Sequence, residues 1–265
     1  MAMRAKLSSW LSPSGFVGDE TSSHLYLRFR FAKARLMIRF DNITKIYYCD
    51  KKPIKALSDT SFEIKKGEFV SIVGKSGAGK TTLIKLLIRE ETPTNGGIFF
   101  KERLIGEMNS KNIQLLRRKI GVAHQDYKLL YQKNVWENIA YVMQVIGVSD
   151  RDISHNIPQI LNMVNLTERQ NNFPEELSGG ERQRLVIARS LCHRPEVIVA
   201  DEPTGNLDLY NAFEIIGLLE KIHSLGTTVI LATHDKEIID RLNHRVITLE
   251  NGKIIRDVEK GKFIL

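Results

Sequence analysis

The residue types that could do chemistry fall in three short stretches: GKSGAGKTT at 74–82, LSGGERQR at 177–184 and VIVADEPTGNLD at 197–208. In the first, Gly74, Gly77 and Gly79 let successive backbone N–H groups face inward, which makes the loop an anion nest. Lys80 can reach the terminal phosphates of a nucleotide, and the helix beginning there adds its unpaired N–H groups and dipole. Thr81 supplies the hydroxyl expected on Mg2+, with Lys75, Ser76, Ala78 and Thr82 completing the loop. Asp201 ends a buried strand and is placed to hold Mg2+ through water, while Glu202 is the better base or water-orienting group. Such a set could direct water onto a γ-phosphate, with most of the rate coming from positioning and charge stabilisation. His234, after TVILAT, reads either as a satisfied loop histidine or as a switch that hydrogen-bonds the γ-phosphate. Gln125, also just beyond a strand, could touch Mg2+ or water and carry that information onward.

The second stretch has no duty at its own nucleotide. Ser178 is a good helix N-cap, and Glu181 stands three residues later, at capping-box spacing. Gly179 and Gly180 keep the approach to the first-turn N–H groups open, so the helix tip can receive an anion from outside. The economical arrangement is a homodimer in which the Ser178 tip of each copy meets the γ-phosphate held by the other, with two ATP between them.

These groups need elements to hold them. The stretch from Met37, MIRFDNITKIYY, alternates as an edge strand would, DKKP makes a turn, and 56–64 and 69–73 read as strands separated by KKG. The loop then leads into a helix over 80–89, the strand–loop–helix context that a phosphate loop requires. Pro93 and Gly96-Gly97 break the chain before a short strand at 98–100, and another strand follows at 120–123. Apolar residues then recur at helical spacing at Val135, Ile139, Val142, Met143 and Ile146, and again at Ile157, Ile160, Leu161 and Val164. Residues 126–176 are therefore expected to form a helical subdomain inserted in an α/β core. Its rim candidates are Asp126, Tyr127, Leu129, Leu130 and Tyr131, each of which could equally be a core or turn residue. The α/β rhythm resumes with helices at 178–192, 209–225 and 236–241 and strands at 197–200 and 228–232. Asn251-Gly252 joins 246–250 to 253–257 as a hairpin.

The 265 residues, 42% apolar and 26% charged, describe an ordinary globular chain and exclude disorder and fibrous repeats. No apolar run approaches the roughly 20 residues that a membrane-spanning helix needs. Cys49 and Cys192 lack ligand-like spacing and read as reduced thiols. The formal charge is +8, and the first 36 residues hold six Lys and Arg against two Asp and Glu, half of the excess. The diffuse remainder is weak evidence for a nucleic-acid stripe, and basic surface near a membrane-embedded partner would explain it equally well. Residues 1–36 read as a basic extension: a flexible tail, a surface-binding arm using Leu25, Leu27, Phe29 and Phe31, or sequence upstream of a start at Met37. A flexible, non-essential segment is the favoured expectation, leaving 37–265 as the working domain.

Together these motifs resemble the ABC family of ATPase subunits, from about Met37 to the C-terminus. The resemblance implies a P-loop NTPase of ABC type: a mixed sheet core, an antiparallel β-subdomain and an inserted helical subdomain. It makes Gln125 the Q-loop residue, 177–183 the signature, His234 the H-loop switch and Tyr47 the aromatic that stacks on adenine, with Tyr48 as the neighbouring alternative. Its cofactors are ATP and Mg2+. MIRFDNITKIY, LRRKIGVAHQDYKLL and ADEPTGNLD are similar to the bacterial cell-division members of the family. Those pair with an integral membrane protein at the cytoplasmic face of the plasma membrane and regulate septal peptidoglycan hydrolysis. Lipoprotein-release and macrolide-export ATPases share much of the same wording and form the alternative; an ATP-driven nucleic-acid or translation factor is a third. His124 departs from the aromatic residue more usual before the Q-loop glutamine.

Overall fold

The structure, a computed structural model, describes residues 36–50 and 52–262. The expectations for residues 1–35 therefore lie outside the described residues. β1 (Leu36–Cys49) and β2 (Lys52–Lys65) pair antiparallel, and β4 (Asn95–Phe100) and β5 (Arg103–Leu104) extend this sheet in the order β2-β1-β4-β5. β1 is thus an interior strand, not the expected edge: it pairs Phe40 with Phe62 of β2 and with Ile98 of β4. Apolar alternation reports one buried face of a strand and says nothing about its two hydrogen-bonding edges. The Phe40 and Phe62 rings stack at 4.5 Å across the pair, the side-chain contact that stabilises such ladders.

Gly96 and Gly97, expected as a chain break, lie inside β4. Gly96 has φ +88°, and a Cβ there would collide with the Asn42 carbonyl oxygen. The glycine permits close backbone approach where the β1–β4 register shifts between Asp41 and Thr44.

The second sheet is built from β3 (Phe69–Val73), β6 (Ile120–Ala123), β7 (Val197–Asp201), β8 (Thr228–Thr233), β9 (Arg245–Glu250) and β10 (Lys253–Val258). Its order is β10-β9-β3-β8-β7-β6, parallel throughout except for the β9–β10 hairpin. Successive residues feed opposite faces. Phe69, Val73, Ile198, Ala200, Val229 and Leu231 enter one core, and Val70, Ile72, Val197, Val199, Ile230 and Ala232 enter the other. Burial on both faces explains why these strands read as continuous apolar runs.

The second of these cores is closed by β1, β2 and β4 with α1 (Lys80–Leu87) and α2 (Ser110–Lys119). α2 starts where the Asn109 side chain accepts a hydrogen bond from Asn112 N at 2.9 Å, an N-cap not expected from the sequence. On the opposite face lie α3 (Val135–Val145), α4 (Asp150–Met163), α5 (Gly179–Leu191), α6 (Leu209–Ser224) and α7 (Lys236–Arg241). Asn138 on α3 is fully buried and ties down the preceding loop, bonding Leu130 N and O, Lys133 O and Asn134 O at 2.8–3.0 Å. Cys192 is also buried, and burial pushes its thiol up to about 12, so it is inert. No helix among the described residues is long and apolar enough to cross a membrane.

The expected Asn251-Gly252 turn forms, with positive φ at both residues, as the two-residue hairpin turn requires. It also braces the phosphate loop: Gly252 N donates to Ala78 O at 3.1 Å, and Gly252 O accepts from Ser58 N and Thr60 Oγ1, each at 2.8 Å. A Cβ at Gly252 would sit 2.6 Å from Ala56 O, and its φ is +74°. Gly252→Ala should therefore cost about 2 kcal/mol, lowering Tm by roughly 4–8 °C in calorimetry; an unchanged Tm would remove the bracing role.

Candidate functional site

Parallel strands present their carboxyl ends on one edge of the sheet, where loops can build a crevice. β3 ends in the loop that starts α1, β7 ends in Asp201-Glu202, and β8, which lies between them, runs out to His234. With strands about 4.8 Å apart, the β3 and β7 loops lie within reach of a lysine side chain. The Lys80 ammonium lies 2.7 Å from Gly74 O, 3.2 Å from Lys75 O and 3.1 Å from Glu202 Oε1. Lys80 is 5% exposed, so these three acceptors are what offset its desolvation.

Glu202 is aimed by its backbone. Its N–H continues the ladder to Ala232 O at 2.8 Å while its φ of +47° turns the side chain across the ends of the strands. That conformation is strained for a residue with a Cβ and is found where a site demands it. Glu202 Oε2 accepts from His234 N at 3.3 Å and lies 2.8 Å from His234 Nδ1. One carboxylate thus stands between the lysine of the phosphate loop and the histidine beyond β8.

Thr81 Oγ1 donates to Asp201 Oδ1 at 3.4 Å, which sets a hydroxyl and a carboxylate side by side. Burial pushes the Asp201 carboxyl above the ordinary range; the Thr81 hydroxyl opposes this and the neighbouring Glu202 charge adds to it. Paired hard oxygens beside a phosphate loop fit Mg2+, which takes one or two protein oxygens and fills the rest of its shell with water and phosphate.

The loop glycines act differently from one another. Gly77 has φ +80° with nothing near its Cβ position, as an open nest requires. Gly74 and Gly79 are needed for packing: a Cβ at Gly74 would strike Leu249 O, and one at Gly79 would lie 2.7 Å from Ala56 O. α1 has no side-chain N-cap and no acid in its first turn, so no acidic side chain of the helix itself competes for its first N–H groups and dipole. Lys75, Ser76 and Thr81 are exposed, Thr82 is half-buried and Ala78 is buried.

Gln125 is exposed beyond β6, and its Nε2 atom lies 3.3 Å from where a Cβ on Gly205 would be. It therefore lies against the turn that follows Glu202. Tyr47 sits in β1 opposite Ile54, about two residues along β2 from the Ala56 carbonyl that abuts Gly79, a rise of roughly 7 Å. Its ring is half-buried with Lys45 Nζ 4.7 Å from its centroid, whereas Tyr48 is 74% exposed.

The Ser178 tip carries the expected capping box: Glu181 N donates to Ser178 Oγ at 3.2 Å and Ser178 N to Glu181 Oε2 at 2.8 Å. Burial acts to raise the Glu181 carboxyl, but the Ser178 N–H and the Arg169 guanidinium outweigh it and leave it lowered. The atoms nearest the two glycines come from Leu207, Asn206, Tyr127 and Asn211, not from the phosphate loop of the same chain. Gly180 has a further cause not visible in the sequence: a Cβ there would strike the Asn211 side chain, which is fixed to Asp208 Oδ2 at 2.6 Å. α5 also grips the segment after Gln125. Arg182 lies over the Tyr127 ring at 5.6 Å, and Arg189, one heptad on, donates to Lys128 O at 2.6 Å. Of the rim candidates, Leu129 is a core residue and Tyr131 is 49% exposed.

A phosphate loop, an acidic strand end, a histidine beyond the intervening strand and a glycine-tipped helix define an ATP-binding cassette. Residues 57–205 match the ABC transporter family, and the chain belongs to it as an ATPase that converts ATP to ADP and phosphate. Within that family it is similar to the cell division ATP-binding protein FtsE of Streptococcus pneumoniae serotype 2, 48% identical over 208 residues, 78% of this chain and 90% of the relative. The FtsE of Bacillus subtilis is 44% identical over 227 residues, 86% of this chain and 98% of the relative. Among solved structures, the dimeric bacterial ABC transporter cassette MJ0796 superposes with TM-score 0.78 at 33% identity, covering 86% of this chain and all of that one. A dimeric post-hydrolysis state of the same cassette, bound to ADP and Pi, gives TM-score 0.77 at 31% identity.

Proposed function

We propose that two copies of this chain, at the cytoplasmic face of the plasma membrane, close around two ATP molecules and drive a membrane partner of the FtsX kind to regulate septal peptidoglycan hydrolysis. The carrying observation is the Glu202 carboxylate held between Lys80 and His234. Gly74, Lys75, Ser76, Gly77, Ala78, Gly79, Lys80 and Thr82 cradle the phosphates through backbone N–H groups and the Lys80 ammonium, and Tyr47 carries the base. Thr81, Asp201 and Gln125 would hold Mg2+, which neutralises charge on the phosphate oxygens when bound. Glu202 orients and deprotonates the attacking water, and His234, 2.8 Å from it, keeps the carboxylate in place and senses the γ-phosphate.

Ser178, Gly179 and Gly180 meet the γ-phosphate held by the other copy. The solved cassettes that superpose on this chain are dimers, which supports the pairing. Residues 126–176 form the helical subdomain that moves as the pair closes, and Arg182 and Arg189 pass that motion to the 127–131 segment. Similarity to FtsE over nearly the whole length of those proteins supports the division partner.

Co-purification from native membranes tests the load. The chain should be recovered with the membrane fraction together with an FtsX-like integral protein. Recovery with neither membrane nor such a partner would overturn the motor reading.

A further inference from the structure

We propose that Lys45 is a positioning residue of the nucleotide site, fixing the Tyr47 ring so that one face is presented to the base. This rests on the reading of Tyr47 as the base platform. Lys45 and Tyr47 stand two apart in β1, where the β1–β2 register shifts between Lys45 and Ile46, and the ammonium is seated over the ring. Lys45 is 8% exposed, an unusual environment for an ammonium unless partners surround it. Its Nζ lies 2.7 Å from Glu91 Oε2 and 2.9 Å from Thr92 O, both from the segment after α1, and 4.7 Å from the Tyr47 ring centroid.

Two of its three protons are therefore anchored to the segment that follows α1, itself tied back to the helix by Glu91 N donating to Lys85 O, while the charge rests on the ring. This clamp links the β1–β2 hairpin, which carries the ring, to α1, which carries the phosphate site. It covers one face of Tyr47 and leaves the other as the stacking surface. A ring ordered in advance loses less freedom when a base stacks on it. Tyr48 follows on the opposite face of β1 at 74% exposure and so lies outside the clamp.

Lys45→Met keeps the stem and removes the charge, and Lys45→Arg keeps a cation. Equilibrium binding of ATP and of inorganic tripolyphosphate to the full-length chain separates base from phosphate recognition. Lys45→Met should weaken ATP roughly three- to tenfold, appear in KM rather than kcat, and leave tripolyphosphate unchanged. Lys45→Arg should restore most of the ATP affinity. In a Tyr47→Ala background, which itself weakens ATP, Lys45→Met should have no further effect on ATP binding.

Equal weakening of both ligands by Lys45→Met, or an undiminished effect on ATP without Tyr47, would show that Lys45 acts on the fold alone and overturn the proposal. If Tyr47→Ala binds ATP as the unsubstituted chain does, the platform reading itself fails and takes the clamp with it. If Tyr47→Ala weakens ATP and Lys45→Met does not, only the clamp fails.

Discussion

Lys80→Met is expected to bind ATP about a hundredfold more weakly and to release no phosphate above background. The magnitude follows from what the ammonium touches. It is buried against two carbonyls of its own loop and against Glu202, 3.1 Å away, so it is fixed where the proposed site would hold the terminal phosphates. A charge-assisted hydrogen bond to phosphate contributes about 1.5–3 kcal/mol, and this lysine can make more than one. Methionine fills the same volume, so the loss reads charge rather than a cavity. The substitution also leaves the Glu202 carboxylate, 11% exposed, without its cation, which adds a cost before any nucleotide binds. Isothermal titration with ATP, alongside phosphate release, measures both effects. A variant with unaltered turnover would remove Lys80 from the site.

How the elements are arranged was less legible than where they lie. The strand–loop–helix unit, the β9–β10 hairpin and the Ser178 capping box each rest on local rules: phosphate-loop spacing, an Asn-Gly turn and an N3 glutamate. Such rules act within a few residues, so a single chain displays them. The order β3-β8-β7 does not, because buried parallel strands are near-uniform apolar runs that name no neighbour. The strand that runs out to His234 lies between the strands that lead to Lys80 and Glu202 because of that order, and sequence alone could place the histidine only at the same sheet edge.

The glycines show the same limit from another side. In the sequence, Gly74, Gly79 and Gly180 each read as an open approach for anions, yet each is also required by a distant segment: Leu249, Ala56 and Asn211. A glycine marks a close approach without saying what approaches. Lys45 and the arginine pair of α5 are further cases. Their spacing, two apart from Tyr47 and one heptad apart, is visible, but their partners lie elsewhere in the chain.

Coupling between the two halves of the site follows from this packing. The α5 tip approaches the 204–208 turn through Gly179 and, through Gly180, the Asn211 side chain of α6, which is tied to Asp208; that turn abuts Gln125 through Gly205. A shift of the α5 tip on meeting a second copy would therefore be felt at Gln125 and, through Arg182 and Arg189, along the segment after it. In the proposed cycle, turnover and load would then be linked through packed contacts within one chain.

Glu202→Gln tests that linkage at its source, and its expected result is an ATP-loaded dimer that scarcely turns over. The amide matches the carboxylate in size, and its oxygen can still accept from Lys80 while its NH2 faces His234 Nδ1 in the tautomer that accepts, giving up only the 3.3 Å bond that Oε2 accepts from His234 N. The geometry survives, but the negative charge that orients and deprotonates water is gone, a loss of roughly 10²–10³ in turnover. Weakening the Lys80–Glu202 ion pair frees the ammonium for phosphate, so ATP affinity should hold or rise. Hydrolysis is what opens the pair in the proposed cycle, so blocking it should leave the copies joined. Size-exclusion chromatography with ATP should show a species of twice the monomer mass that falls apart when nucleotide is removed. A variant that stays monomeric with ATP and hydrolyses it at the unsubstituted rate would refute both the base role of Glu202 and ATP as the adhesive between copies.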